Sequence, residues 1–421
     1  VTFKPAATLD CQSRRLRWHD SVMASPENLL DDSTYDVTGI VSRFQSRQSQ
    51  MVEELAALVD LESPSNSVDQ LRTCANYLAS LGTSLLGQMP ERIEVEGRQT
   101  LVWKFGDTPR VVLVGHYDTV HPVGTVLRFP FSVDGDVARG PGVCDMKGGV
   151  IIALHALHDM INEFGSQALD GVCLLINGDE EIGSKYSQGV IEQLANTARF
   201  AIGFENAGPL WQIKTERRGA SHYEVKVKGR AAHAGDRSDK GINALREMCA
   251  QCEEVIALGN DELGTSVTPT MAAAGTAINT VTEDASMWFD VRTRTLGEQN
   301  RIDQEIRKLQ PRITEAEVWV EGGVAQPPLP AEASAELKRI SAESARELGL
   351  GELDYMSVGG AADVCRFAAA GVGAIDGFGA VGGDDHSDRE WIYLSSLPRQ
   401  AALAAGVIRH LLRGDELSLD D

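Results

Sequence analysis

No stretch of this 421-residue chain approaches the roughly 20 apolar residues that a membrane-spanning helix needs. No apolar run follows Arg14, Arg15 and Arg17, so a secretory signal is not expected. Basic residues are few against acidic ones: 39 Lys and Arg face 61 Asp and Glu, a net charge of −22. That average field repels a nucleic-acid duplex and an anionic membrane, and neither is expected as a partner. An anionic substrate would need local arginines. The seven cysteines are odd in number and scattered, which suits a reducing cytoplasm and not a disulfide framework. Cys249 and Cys252 form a CxxC inside a helical pattern with no second pair, and are expected as buried helix cysteines.

What is present reads as a globular protein. Hydrophobic residues make up 43% of the chain and charged ones 24%, and the length suits two domains. Residues 1–44 read as an appendage without fixed structure or draped on the surface. From Gln45 onward helical spacing and short apolar runs alternate: a helix through Val59, another at about Val68–Leu81, strand Val111–Val114, helix Gly148–Phe164, strand Val172–Ile176 and strand Phe200–Phe204. Such alternation predicts an α/β fold with a mostly parallel central sheet. Near Glu216 the texture changes to strand, helix, strand, strand, helix, strand, a ferredoxin-like α+β order. Pro327, Pro328 and Pro330 then punctuate the chain, and the α/β texture returns. The expected organisation is therefore a catalytic domain of residues 45–215 and 331–413, an inserted unit at 216–330, and an acidic tail at 414–421.

Glu180 and Glu181 stand side by side after the apolar run Val172–Ile176. Adjacent carboxylates repel, and a positive partner explains their pairing. His116 follows strand Val111–Val114, where an open parallel sheet presents ligands. Asp118 can accept the second ring N–H of His116 and fix its tautomer. Asp145 lies in a glycine-rich loop opening a helix, Glu205 follows one more strand, and His386 follows the run Gly373–Phe378. Imidazoles with carboxylates and no thiolate suit zinc and tolerate cobalt or manganese. One histidine and one terminal carboxylate per metal, with Asp145 shared, would hold two ions roughly 3.5–4 Å apart. One of the paired glutamates then stays free as a general base.

The segments GHYDTV, GPGVCDMKGG, GDEEIGS, GRAAHAG and HSDREW occur together and in order. On these segments the chain, from about Gln45 to Leu412, resembles the dinuclear zinc aminoacylase and carboxypeptidase family. That group includes glutamate carboxypeptidase, acetylornithine deacetylase and succinyl-diaminopimelate desuccinylase. The resemblance implies that His116, Asp145 and Glu205 hold one metal and Asp145, Glu181 and His386 the other. It makes Glu180 the base, Asp118 the partner of His116, and the peptide after Asp145 cis. It also implies that His233 supports the substrate oxyanion, often in a partner subunit, and that Asn279 and Arg292 grip a substrate carboxylate. Gly360 would bring backbone close to substrate. Ala362 stands where Ser or Thr is common, which puts selection of the acyl group in question there, and Cys144 is read as a packed thiol.

The reading is a cytoplasmic, homodimeric metallohydrolase whose inserted unit acts as a lid and dimerisation domain. It would cleave the amide C–N bond of a small N-acyl amino acid or short peptide with a free carboxylate. The same site could instead act on a carbamoyl, amidine or amine substituent, and a catalytically silent member of the family is a further alternative.

Overall fold

The computed structural model describes residues 37–413. Its central sheet runs in the order Glu91–Val95, Arg98–Phe105, Val172–Asn177, Val111–His116, Phe200–Gly203, Gly373–Ile375. The last four strands are parallel, and the first two form an antiparallel hairpin on one edge. Helices cover both faces, which is why the strands are apolar throughout and do not alternate with polar residues. Val111 and Leu113 face a core shared with helices Gln48–Val59, Val68–Leu86, Gly148–Phe164 and Ser396–Leu412. Val112 and Val114 face the other layer, built by Gln188–Ala195 and Val364–Ala369. Helix Gly148–Phe164 is apolar nearly all round because it lies between the sheet and Ser396–Leu412.

A second, fully antiparallel sheet has the order Ser266–Ala274, Asp284–Thr293, Gly219–Lys228, Glu317–Gln326. Helices Ala244–Ile256 and Leu296–Ile306 cover one face, where Tyr223, Val225, Val227, Phe289 and Val291 form a separate core. This is the strand-helix-strand-strand-helix-strand order expected from the sequence.

Three expectations need correction. Residues 37–44 are not an appendage: helix Val37–Ser46 buries Ile40 and Phe44 in the main core. The rest of that segment, residues 1–36, and the acidic tail at 414–421 lie outside the described residues. Cys249 is exposed and Cys252 half-buried, not packed inside. The helix beginning at Val68 runs on to Leu86 and stops at Gly87, whose φ of 73° only glycine adopts freely.

Candidate metal centre and active site

Three neighbouring parallel strands end together, and each delivers a histidine or an acid. His116 closes its strand opposite Asn177 of one neighbour, and Val114 pairs with Gly203 of the other. Glu180 and Glu181 follow Asn177 in a short turn, and Glu205 follows Gly203. Asp145 comes from the loop before Gly148–Phe164, and its peptide to Met146 is cis, as the resemblance implied. Glycine lets these segments close on each other: a Cβ on Gly149 would collide with the carbonyl oxygen of Phe204. His386 sits at φ 61°, a left-handed conformation uncommon for a non-glycine residue.

Asp145 stands between the two histidines. Its Oδ1 lies 3.1 Å from Nε2 of His116, and its Oδ2 lies 3.2 Å from Nε2 of His386. His116 Nε2 is also 3.4 Å from Glu205 Oε1, and His386 Nε2 is 3.3 Å from Glu181 Oε2. Two triads therefore share one carboxylate, and within each the ligand atoms lie within 4.8 Å of one another. One divalent cation can span such a set. Glu181 Oε1 is buried without a hydrogen-bond partner. A buried carboxylate oxygen is costly in that state unless a cation takes its lone pair. The residues present fit a metal pair.

The same contacts shift the proton affinities of these groups. Burial pulls the His116 imidazole down, but bonds to Asp118, Asp145 and Glu205 outweigh it and raise it well above its ordinary range. Hydrogen bonds to Asp145 and Glu181 push His386 up to about 11. Burial pushes Glu181 up to about 7 and Glu180 well above the usual carboxylate range. Asp145 is also buried, yet its bonds to the two histidines hold it well below that range.

Asp118 stands beside His116 as expected and has a further task. His116 Nδ1 lies 3.0 Å from the backbone carbonyl oxygen of Asp118 and 3.4 Å from its carboxylate. The Asp118 carboxylate accepts the backbone N–H groups of Glu180 and Glu181 at 3.1 and 3.2 Å, and the Ser65 hydroxyl at 2.6 Å. It secures the turn that carries the glutamate pair.

The description of Peptidase family M20/M25/M40 matches residues 112–410, a span that contains every residue of both triads. The chain belongs to this family. It is 28% identical over 378 residues to carboxypeptidase G2 of Pseudomonas sp. strain RS-16, covering 87% of this chain and 90% of that protein. Among solved structures, aminopeptidase PepT of Bacillus cereus superposes with a TM-score of 0.70 at 17% identity, covering 86% of this chain and 98% of that one. The Bacillus subtilis YXEP protein, described as a dinuclear metal-binding peptidase, superposes with a TM-score of 0.62 at 15% identity, covering 87% and 99%. As an M20 member, the chain is a metallohydrolase acting on amide C–N bonds.

The substrate-side residues of this M20 chain are dispersed. His233 is exposed, and its Nδ1 accepts the backbone N–H groups of Gly235 and Asp236 in its own loop. Asn279 is exposed beside it, its carbonyl oxygen accepting the N–H of Ala234. Arg292 is committed: both arms of its fork donate to Asp290 at 2.8 Å. Gly360 is exposed, and its carbonyl oxygen accepts from Arg217 Nη1 at 3.0 Å. Ala362 is buried in the layer behind the centre, where it lines a small cavity with His116, Glu180 and Glu205. Cys144 is buried, and burial pushes its thiol well above the ordinary range, in keeping with a packed residue.

Two supports of the M20 centre escaped the sequence reading. Buried Arg217 donates to Asp376 at 2.6 Å and lies 3.8 Å from Glu205 Oε2, tying that ligand to the Gly360 loop. Glu390 is fully buried and accepts the backbone N–H groups of Gly142, Cys144 and Asp145 at 2.7–2.9 Å, while His121 Nε2 lies 2.8 Å away. It fastens the Asp145 loop to the His386 loop, and the HSDREW segment contains it. Glu390→Ala is expected to lower stability by about 3 kcal/mol through orphaned N–H groups. It should also weaken metal uptake by about 10–100-fold. Denaturant midpoints and a metal titration check both; unchanged affinity would mean the loop holds itself.

Proposed function

We propose that this protein hydrolyses the amide bond of small N-acyl amino acids or short peptides with a free carboxylate, using two divalent cations, zinc first. The single observation that carries the reading is Asp145 between two histidines, each with its own further carboxylate. His116, Asp145 and Glu205 would hold one cation, and Asp145, Glu181 and His386 the other. When bound, the cations polarise the scissile carbonyl and acidify water. Glu180, whose affinity for protons burial raises, takes the proton from the attacking water and returns it to the leaving nitrogen. Asp118 holds Glu180 and Glu181 in place through their backbone N–H groups.

The exposed His233 loop would donate to the oxyanion at the active site of a second subunit, with Asn279 beside it. Arg292 would exchange Asp290 for the substrate carboxylate, and the Gly360 backbone would line the same site. The second sheet would serve as lid and dimerisation unit in a cytoplasmic homodimer. Similarity to carboxypeptidase G2 supports a carboxylate-bearing substrate.

Metal uptake tests the centre. His386 and Glu181 must shed their protons to become ligands, and their neighbours and burial raise them to about 11 and about 7. Uptake should therefore expel protons, and affinity should rise with pH through neutrality. Calorimetric titration of stripped protein in two buffers of different ionisation enthalpy reads the proton count. Uptake without proton release would contradict the ligand assignment.

A further inference from the structure

Arg292 is engaged within its own strand. Its Nε and Nη2 both donate to the Asp290 carboxylate at 2.8 Å, two positions away on the same face of strand Asp284–Thr293. A guanidinium fork closed on one carboxylate cannot make the same two-pronged contact with a second. To take up a substrate carboxylate, Arg292 must leave Asp290. Burial draws the Asp290 carboxyl upward, but bonds from Arg292 and His222 outweigh it and hold the group below the usual carboxylate range. Asp290 therefore stays charged, and a departing Arg292 leaves that charge to whatever remains beside it.

His222 remains. Strands Asp284–Thr293 and Gly219–Lys228 pair antiparallel in a register that sets His222 directly opposite Asp290. Tyr223 points into the helix-covered core, so alternation places His222 on the uncovered face with Asp290. Its Nε2 lies 3.2 Å from Asp290 Oδ2, the same oxygen that accepts Arg292 Nη2. Among the described residues, Arg292 and His222 alone make ion-pair contact with Asp290. The other neighbours of His222 ask nothing of it. Opposite it in strand Glu317–Gln326 stands Gly323, and opposite Asp290 in strand Ser266–Ala274 stands uncharged Thr268. Glu224, next on the same face, and Glu321 are both paired with Lys226. Arg307, from the covered side, is paired with Asp303. The His222 side chain is 61% exposed, so packing does not account for its place.

We propose that His222 is a positioning residue for substrate binding: it stays on Asp290 and compensates that carboxylate when Arg292 turns to the carboxylate of the substrate. The inference deepens the reading of Arg292 as the carboxylate grip and rests on it. Without His222, the carboxylate that Arg292 abandons has no partner, and Asp290 competes harder for the guanidinium. The consequence falls on binding and not on the proton transfer at Glu180, and an exposed pair gives it a modest size.

Steady-state hydrolysis by the zinc-loaded full chain tests this. The N-acetyl amino acid turned over fastest, from a panel of all common amino acids, is compared with its C-terminal carboxamide. His222→Phe should raise KM for the carboxylate substrate by about two- to five-fold, with kcat unchanged and KM for the carboxamide unmoved. His222→Lys, which keeps a cation beside Asp290, should restore the parental KM. In an Asp290→Asn background, His222→Phe should have no effect, because the charge it compensates is gone. Arg292→Gln should abolish the preference for carboxylate over carboxamide. If Arg292→Gln does so but His222→Phe leaves KM alone, or raises it equally for both substrates, the role of His222 is overturned and the grip stands. If Arg292→Gln leaves the preference intact, the grip itself falls, and a parent that hydrolyses no member of the panel overturns the hydrolytic reading beneath both.

Discussion

Glu180→Gln is expected to lower kcat by about 100- to 10,000-fold while metal content stays that of the parent. Glutamine keeps the size of the side chain but cannot accept the proton that the attacking water must lose. Glu180 is well suited to that task. Burial raises its proton affinity, and the nearby Asp363, Glu205 and Glu181 raise it further against the pull of His116. It belongs to neither ligand triad, so its replacement should leave the cations in place. Full turnover in Glu180→Gln would remove Glu180 from the chemistry. Loss of metal together with activity would instead make it a ligand.

The second large effect concerns the shared carboxylate. Asp145→Asn should empty both cation positions and abolish hydrolysis, whereas His386→Ala should empty one. Asp145 directs one oxygen at each histidine, so a neutral amide removes a charged ligand from both sets at once. Losses beyond the about 10–100-fold typical of residues that merely support ligands are expected. Elemental analysis of purified variants reads the stoichiometry, and the near-isosteric change keeps the loop that Glu390 clamps. Parental metal content in Asp145→Asn would mean that the two triads are held apart by something other than this residue.

The five ligand candidates and Glu180 were legible because each belongs to a loop beyond an apolar strand or opening a helix, and sheet topology gathers such loops on one rim. The supporting groups were harder to see. Glu390 works by accepting backbone N–H groups about 250 positions earlier, and no local pattern marks such a contact. Asp118 offered a clear partner in His116, yet its backbone oxygen lies closer to the imidazole and its carboxylate holds the glutamate turn. The pairing of Arg292 with Asp290 could have been anticipated, since residues two apart on a strand share a face. The cysteines of helix Ala244–Ile256 were misjudged because that helix has two apolar rows, and spacing alone does not say which row meets the sheet. Residues 37–44 were read with the polar segment before them, although Ile40 and Phe44 already carry helical spacing.

The most direct measurement is a screen of N-acyl amino acids and short peptides with metal-stripped and zinc-reconstituted protein, scored by the free amine released. The expected result is release from carboxylate-bearing amides only after reconstitution, lost again on chelation and absent in Glu180→Gln. Amide hydrolysis that persists in stripped protein, or a reconstituted protein that releases amine from none of these amides, would contradict the account.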